Sequence, residues 1–418
     1  MKYAIITFGC RVNQADSLVI ERGLRARGGV AATAEDADLL IVNTCSVTAS
    51  ADQGARQTIR RHVRANPDVQ VVVTGCYATR RADELRALPN VIRVVPNADK
   101  DDLVAVLGAD GVLPRIGSAA PRSTADRFGG GDGPCGDWLT PGTAGRTALT
   151  LRVQTGCDEW CSYCIIPATR GSSRSRPLAG VCEDVTRAVA AGYKEITITG
   201  VHLGSYGRDL RDGTSLGLLV ARLGDMTDDV LFRISSLEPM DCTPDIVHRV
   251  SASPRLAPHF HLPLQHGSDA MLRAMRRPYT AAGYRRLVDG IRGAMPHASI
   301  GSDVIVGFPG ESPAHFDEMC AILRDSPLSH LHVFPYSDRP GTGAASMPGK
   351  VDGVAIRERG RAIRAIGQDL ARRFRESQAG TTRRALALDD GRSAITDNYI
   401  KVRLDEPHLR NEWIDVQL

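Results

Sequence analysis

Three cysteines, Cys157, Cys161 and Cys164, stand as C-x3-C-x2-C within eight residues of the run QTGCDEWCSYCIIPATRG, residues 154–171. Three thiolates in one short loop can ligate three irons of a four-iron cluster, which normally takes four cysteines. The next cysteine, Cys182, belongs to the following predicted helix. One iron is then left open, as a catalytic metal site keeps a position open for substrate. The amino and carboxylate groups of a cosubstrate would suit that position. Zinc is the competing reading, but structural zinc wants four ligands, commonly in C-x2-C pairs, and the second pair is missing. Gly156 and Gly171 flank the loop and allow the tight backbone it requires.

A second set is spread along the chain. Cys10 follows YAIITFG, Cys45 follows LLIVNT and Cys76 follows VVVTG. Each stands just past the carboxyl end of a predicted strand, and in an open parallel sheet those ends share the edge where ligands bind. Residues far apart in sequence can therefore meet. On the residues alone two readings stay open, a joint metal site and cysteines that merely pack.

The elements that must position these residues follow from hydrophobic patterning. Over residues 1–112, short apolar runs (3–7, 39–43, 69–74 and 91–95) alternate with amphipathic segments (14–27, 49–66, 80–88 and 100–107), which predicts a parallel sheet with covering helices. Residues 113–145 are rich in Gly, Pro and Ser without apolar periodicity, and read as a flexible linker. From 146 to 350 strands at 148–154, 195–199, 230–235, 259–262, 299–306 and 329–334 alternate with helices, a partial (β/α)6 barrel related to the eight-fold one. Residues 351–378 form an arginine-rich helix. The tail, 379–418, reads as a small all-β module of three strands, TRRALAL (382–388), AITDNYIKVRL (394–404) and EWIDVQL (412–418). The fold class is therefore α/β with a small β appendage.

The chain has 418 residues, 42% hydrophobic, and a formal net charge of +4. That permits two or three packed domains and a nucleic-acid partner without demanding one. No stretch reaches the roughly 18–20 apolar residues of a membrane span, and the start lacks a signal-peptide pattern. A cytoplasmic location is expected, so the ten cysteines should not form a disulfide framework. Cys182, Cys242 and Cys320 read as small buried hydrophobes, and Cys135 as an incidental thiol in the linker.

The loop at 154–171 resembles the signature of the radical S-adenosylmethionine superfamily. TFGCRVNQADS, VNTCSVT and VTGCYA are similar to the three cysteine blocks of its methylthiotransferase family. TGVHLGSYG (199–207), RISSLEP (233–239), HLPLQHGSDAMLRAMRR (261–277), DVIVGFPGE (303–311) and FPYSDRPGT (334–342) match further blocks. Residues 1–112, 146–350 and the tail fit the family's three-part plan. GCRVNQADS, VNTCSVTASAD and TDNYIKVRL most resemble the branch that acts on threonylcarbamoyl-adenosine. Other branches act on isopentenyl-adenosine or on an aspartate of a ribosomal protein.

The resemblance implies two [4Fe-4S] clusters and S-adenosylmethionine. Cys157, Cys161 and Cys164 would hold the radical-generating cluster, and Cys10, Cys45 and Cys76 a sulfur-donating one. Family chemistry reduces the sulfonium to methionine and a 5′-deoxyadenosyl radical, which takes hydrogen from C2 of adenine. The partners implied are tRNA and a low-potential electron donor of flavodoxin or ferredoxin type. The tail resembles the TRAM module that grips tRNA, though short for one, and arginines of the preceding helix would meet phosphates. Thr199, Gly200, Glu238, Gln265, Asp303 and Gly307, past barrel strand ends or on them, are the candidates for binding S-adenosylmethionine and adenosine. Glu238 and Asp303 can equally be turn or cap residues. His202 and His266 can be acid–base groups or structural histidines. Glu311 comes one residue late for the superfamily's Gly-x-Ile-x-Gly-x-x-Glu pattern, and Asp303 takes that pattern's first Gly.

Overall fold

The computed structural model describes residues 1–113, 141–142 and 146–418. The predicted linker and Cys135 lie almost wholly outside the described residues. The chain divides into two compact units. One comprises Met1–Leu139, Gln154–Glu159 and Cys164–Arg187, and the other Thr140–Val153, Trp160–Tyr163 and Ala188–Leu418.

The first unit is built on strands β1 (Lys2–Thr7), β2 (Val30–Ala31), β3 (Leu39–Thr44), β4 (Gln70–Gly75) and β5 (Val91–Val95), all parallel in the order β2-β1-β3-β4-β5. β3 (LLIVNT) and β4 (QVVVTG) are largely apolar runs with several β-branched residues, buried on both faces, as parallel strands covered by helices must be. Leu40, Val42, Val71 and Val73 pack into one core, and Leu39, Ile41 and Val72 into the other. Helix Ala49–Ala65 starts where the Thr48 side chain accepts a hydrogen bond from Ala51 N–H, a standard way to satisfy a free helix-end donor. The helix expected at 80–88 is two short ones, Cys76–Arg80 and Ala82–Arg86, because Arg81 (φ −139°, ψ 53°) leaves helical space between them. The edge strand β2 is too short to carry a pattern and went unpredicted.

In the second unit β6 (Leu149–Arg152) opens the barrel. The chain then makes a two-residue antiparallel pair belonging to the first unit, β7 (Gln154–Thr155) with β8 (Arg174–Ser175), which closes the loop 157–171 on itself. The barrel continues with β9 (Glu195–Thr199), β10 (Leu231–Ile234), β11 (His259–His261), β12 (Ser299–Val306) and β13 (His330–Pro335). β6, β9 and β10 form one parallel sheet and β11, β12 and β13 another. The parallel bridge Ser236–His261 joins them. The six strands and their order match the partial barrel predicted. Intervening helices carry sequence-encoded starts: Thr280 caps Ala281–Ala294, and Ser312 with His315 forms a capping box before Pro313–Asp325.

Helix Gly353–Gln378 leads to an antiparallel sheet of four strands rather than three: β14 (Thr382–Ala387), β15 (Ser393–Thr396), β16 (Lys401–Arg403) and β17 (Trp413–Gln417), in the order β16-β15-β14-β17. The stretch read as one strand, 394–404, is a hairpin. Tyr399 takes φ +70° at its turn, and Thr396 Oγ1 accepts from Ile400 N–H at 2.9 Å. Arg233, fully buried, fixes this module to the barrel. It holds Glu195 through two 3.0 Å bonds, donates to the Asp397 carbonyl at 3.0 Å, and lies 4.8 Å from the Tyr399 ring centre. Among the described residues no helix is long and apolar enough to cross a membrane.

Candidate active site

Register brings the three scattered cysteines of the first unit to one edge. Thr7 pairs with Asn43, Asn43 with Thr74, and Thr44 with Gly75. Cys10, Cys45 and Cys76 therefore leave the carboxyl ends of three adjacent strands. Cys10 is the N-cap residue of helix Arg11–Ala26, and Cys76 begins helix Cys76–Arg80. Two glycines make the close approach possible. Gly9 has φ +93°, and a Cβ there would fall 2.7 Å from Cys45 Cβ and 2.8 Å from its Sγ. Gly75 has φ +100°, and a Cβ there would lie 2.2 Å from the Thr44 carbonyl oxygen. Only glycine meets both demands cheaply.

Charge collects beneath the same edge. Asp16 Oδ2 accepts from Lys100 Nζ at 2.9 Å and Arg170 Nη2 at 3.0 Å, with all three side chains at most 3% exposed. Arg170 also donates to Asn13 Oδ1, and Asn13 Nδ2 reaches the Phe8 and Thr44 carbonyls at 2.8 and 3.0 Å. Lys100 donates to Asn43 Oδ1 at 3.1 Å. Lys100 and Arg170 share one carboxylate. Burial first, and then Arg170, pull the Lys100 amine below its ordinary value against the opposing pull of Asp16 and Cys76, so an anion at this edge would favour its charged form. Burial alone would raise the Cys76 thiol, but Arg170 and Lys100, with Asn97 Nδ2 3.6 Å from its sulfur, hold it below its ordinary value. Burial pushes Cys45 up to about 11, reinforced by the neighbouring Cys76 and Cys10. Convergent cysteines over a positively charged floor fit an anionic iron–sulfur cluster. Asn13 and Asp16 lay inside the recognised block, but nothing in the sequence tied them to Lys100 or Arg170.

In the loop of the second cysteine set, Cys157 and Cys164 fall in the first unit and Cys161 in the second. Gly156 (φ +74°) and Gly171 (φ +71°) occupy the left-handed region, as the tight turn demanded. A Cβ on Gly156 would lie 1.9 Å from the Ser172 carbonyl oxygen, and Cys157 N–H donates to the Gly171 carbonyl at 3.0 Å. Within the second unit Arg277 donates to Cys161 Sγ at 3.0 Å and pairs with Glu238. Arg277 is 6% exposed. Although burial opposes its charge, Glu238 and neighbouring groups hold it protonated. Glu238 is thus brought beside Cys161, through an arginine that lies inside a quoted block but was not singled out. Ser162 anchors the loop by donating from N–H to Met275 O at 3.1 Å and from Oγ to Ala274 O at 2.8 Å.

The remaining candidates form two groups, Thr199 with Gly200 at the end of β9, and Gln265, Asp303 and Gly307 on or beside β12. Thr199 is buried at the end of β9, and its Oγ1 accepts from Ser235 Oγ at 3.1 Å, with Gly200 next in the chain. Gln265 takes φ +65°, a costly conformation for a non-glycine residue and a mark of constraint. Its N–H donates to the Asp303 carbonyl at 2.9 Å. Gly307 (φ +78°) donates its N–H to Glu311 Oε2 at 2.7 Å. Glu311 also receives Arg359 at 2.6 Å and lies 3.3 Å from His266 Nε2. Fully buried and so engaged, Glu311 closes the turn after β12, and His266 serves the same turn. His202 Nε2 is 2.8 Å from Asp241 Oδ2. Asp303 meets His261 and His332 instead of a turn. Cys242 and Cys320 are buried as expected, but Cys182 is half-exposed.

Comparison with known proteins agrees with this architecture. Residues 151–323 match the family model described as "Radical SAM superfamily", and residues 2–96 match "Uncharacterized protein family UPF0004". A solved radical S-adenosylmethionine methyltransferase, TsrM from Kitasatospora setae, shares the fold with a TM-score of 0.58 at 15% identity, over 82% of this chain and 75% of that one. The fold and the cysteine loop define a radical S-adenosylmethionine enzyme. The chain is 35% identical to the threonylcarbamoyladenosine tRNA methylthiotransferase MtaB of Aquifex aeolicus, covering 96% of each. It is 34% identical to that of Bacillus subtilis, over 96% of this chain and 89% of the relative. It is also 32% identical to a tRNA-2-methylthio-N(6)-dimethylallyladenosine synthase of Acidothermus cellulolyticus, over 97% of this chain but 82% of the relative. The chain belongs to the methylthiotransferase family of the radical S-adenosylmethionine superfamily.

Proposed function

We propose that the chain transfers a methylthio group to C2 of N6-threonylcarbamoyladenosine beside the anticodon of tRNA. The observation that carries the tRNA reading is the coincidence of two cysteine sets with near-complete two-way coverage of the threonylcarbamoyl-specific relatives. Relatives acting on dimethylallyladenosine are matched at similar identity, but over less of their length.

Cys157, Cys161 and Cys164 would hold one [4Fe-4S] cluster and Cys10, Cys45 and Cys76 a second. When bound, the clusters and S-adenosylmethionine supply the radical and the methylated sulfur. The protein's own groups orient and balance charge. Arg277 fixes the Cys161 sulfur and holds Glu238 in reach of the cosubstrate. Lys100, Arg170 and Asn97 offset the negative charge that three thiolates bring into a buried edge. Thr199, Gly200, Gln265 and Gly307 line strand ends where S-adenosylmethionine and the adenosine bind. A flavodoxin- or ferredoxin-type donor supplies the electron, in a cytoplasmic setting.

The tRNA contact falls to helix Gly353–Gln378 and the TRAM-like module, 379–418. Arg357, Arg361, Arg364 and Arg375 are exposed, and at helical periodicity they form one stripe. Arg359, Arg372 and Arg373 are committed to intramolecular pairs. An anticodon-loop adenosine is easily splayed out and read in a pocket.

The test uses anaerobically reconstituted protein, S-adenosylmethionine, a strong reductant and tRNA carrying threonylcarbamoyladenosine. Mass spectrometry of the digested nucleosides should reveal methylthio-threonylcarbamoyladenosine. 5′-Deoxyadenosine without that product, and methylthiolation of isopentenyladenosine tRNA instead, would refute the substrate.

A further inference from the structure

Strands β11 and β13 both begin with His-x-His, and both flank β12. Alternation along a strand puts His259 with His261 on one face, and His330 with His332 on one face. Register pairs His261 with Gly301, Gly301 with His330, and Asp303 with His332. The residue between the two inner histidines is thus a glycine. A Cβ at 301 would fall 2.1 Å from His330 Nε2 and 2.3 Å from its Cε1. Lacking one, β12 leaves the room the imidazoles use. Asp303 Oδ1 lies 2.8 Å from His261 Nε2 and 3.0 Å from His332 Nδ1. The His261 and His332 ring centres are 5.2 Å apart, with His330 6.1 and 5.5 Å from them.

The ligating atoms of His261, Asp303 and His332 all lie within 4.8 Å of one another, close enough to share one ion. Two imidazoles and one carboxylate are the donor set of catalytic zinc sites that keep further positions open. The imidazoles disfavour magnesium and calcium, which take oxygen ligands. The side chains are 17%, 22% and 55% exposed for His261, Asp303 and His332, so an ion here would keep a solvent-accessible side. All three ligands sit on the main strands of one sheet, which is rigid support. None belongs to either cysteine set or to the Arg277–Glu238 pair.

We propose that His261, Asp303 and His332 bind a divalent transition-metal ion, zinc by donor type, with the remaining coordination positions open to water or an oxygen ligand. Asp303 then serves the metal rather than S-adenosylmethionine. The proposal stands on this sheet alone and does not depend on which nucleoside is modified.

The test takes the anaerobic holoprotein, treated with chelator, desalted and then given zinc sulfate. Zinc and iron are counted by mass spectrometry, and the zinc X-ray absorption edge reports the donor atoms. One zinc per chain is expected, with nitrogen and oxygen donors only, Zn–N of about 2.0–2.1 Å, and no loss of iron. His332→Ala, at the exposed corner, and Asp303→Asn should each weaken zinc binding by about tenfold or more, with iron content and circular dichroism unchanged. Sulfur donors on the zinc would place it at a vacated cysteine set and overturn the proposal. So would zinc binding indifferent to both substitutions, or no zinc retained by the unsubstituted protein.

Discussion

Replacing Asp16 by Asn tests the charge balance under the first cysteine edge. Its carboxylate is the shared partner of Lys100 and Arg170, at 2.9 and 3.0 Å, with the three side chains 0%, 1% and 3% exposed. Removing one partner of a buried pair costs about 3–5 kcal/mol, because an uncompensated charge stays behind. Asp16→Asn leaves Arg170 charged beside Lys100, whose amine burial and Arg170 already pull below its ordinary value, so the cost should fall within that range. Arg170→Met or Lys100→Met leaves Asp16 paired with the other cation. Each should cost only about 1.5–3 kcal/mol, the worth of a charge-assisted hydrogen bond. The double variant Asp16→Asn, Lys100→Met should then be more stable than Asp16→Asn alone. Hydrogen exchange of amides in β1, β3 and β4, followed by mass spectrometry in apo and reconstituted protein, reads the local opening energy. Reconstitution should rescue part of the Asp16→Asn loss, since an anionic cluster supplies the missing charge. If Lys100→Met deepens the Asp16→Asn defect, or if the three single variants cost the same, the charge-balance argument is wrong.

Gly9→Ala must adopt a left-handed backbone, at about 1–2 kcal/mol, and drive a methyl group into Cys45. Iron content should fall by one cluster while 5′-deoxyadenosine formation persists. Changing Arg361, Arg364 and Arg375 together to Gln should weaken tRNA binding and lower its salt dependence by about 0.7–0.9 logarithmic units per lost phosphate contact, while radical formation without tRNA stays unchanged. Glu311 gives a pH signature. Burial alone would raise its carboxyl, but His266, the Gly307 N–H and Arg359 hold it below the usual glutamate value. Its stabilisation is therefore complete above the unfolded value of about 4.3 and lost as pH falls through the lower folded value. Glu311→Gln should be less stable at neutral pH and show a shallower acid-unfolding limb below about pH 4, as measured by thermal melts across pH.

Strand positions were legible because short continuous runs of apolar and β-branched residues such as VVVT and LLIV carry their own signal, and the barrel strands followed the same rule. The convergence of Cys10, Cys45 and Cys76 was legible too, since parallel strands place their carboxyl ends on one edge. What sequence patterning could not supply was long-range pairing of polar side chains. Nothing in the sequence pattern marks Lys100 or Arg170, and only tertiary packing puts both against Asp16. Arg277 was hidden among other arginines for the same reason. His261 and His332 lie far apart in the chain, and their meeting depends on the register of β11, β12 and β13. The hairpin at 394–404 was missed because a buried Asn398 and a left-handed Tyr399 make a turn without glycine or proline.

The most direct test of the two-cluster account compares Cys157→Ala with Cys45→Ala, both reconstituted anaerobically. Iron and sulfide are counted, and 5′-deoxyadenosine and methylthiolated nucleoside are measured from the same reaction. Each variant should keep one cluster's share of iron. Cys157→Ala should make no deoxyadenosine, whereas Cys45→Ala should make deoxyadenosine but no methylthiolated product. Equal loss of deoxyadenosine in both variants, or full iron retained in either, would contradict the division of labour between the two cysteine sets.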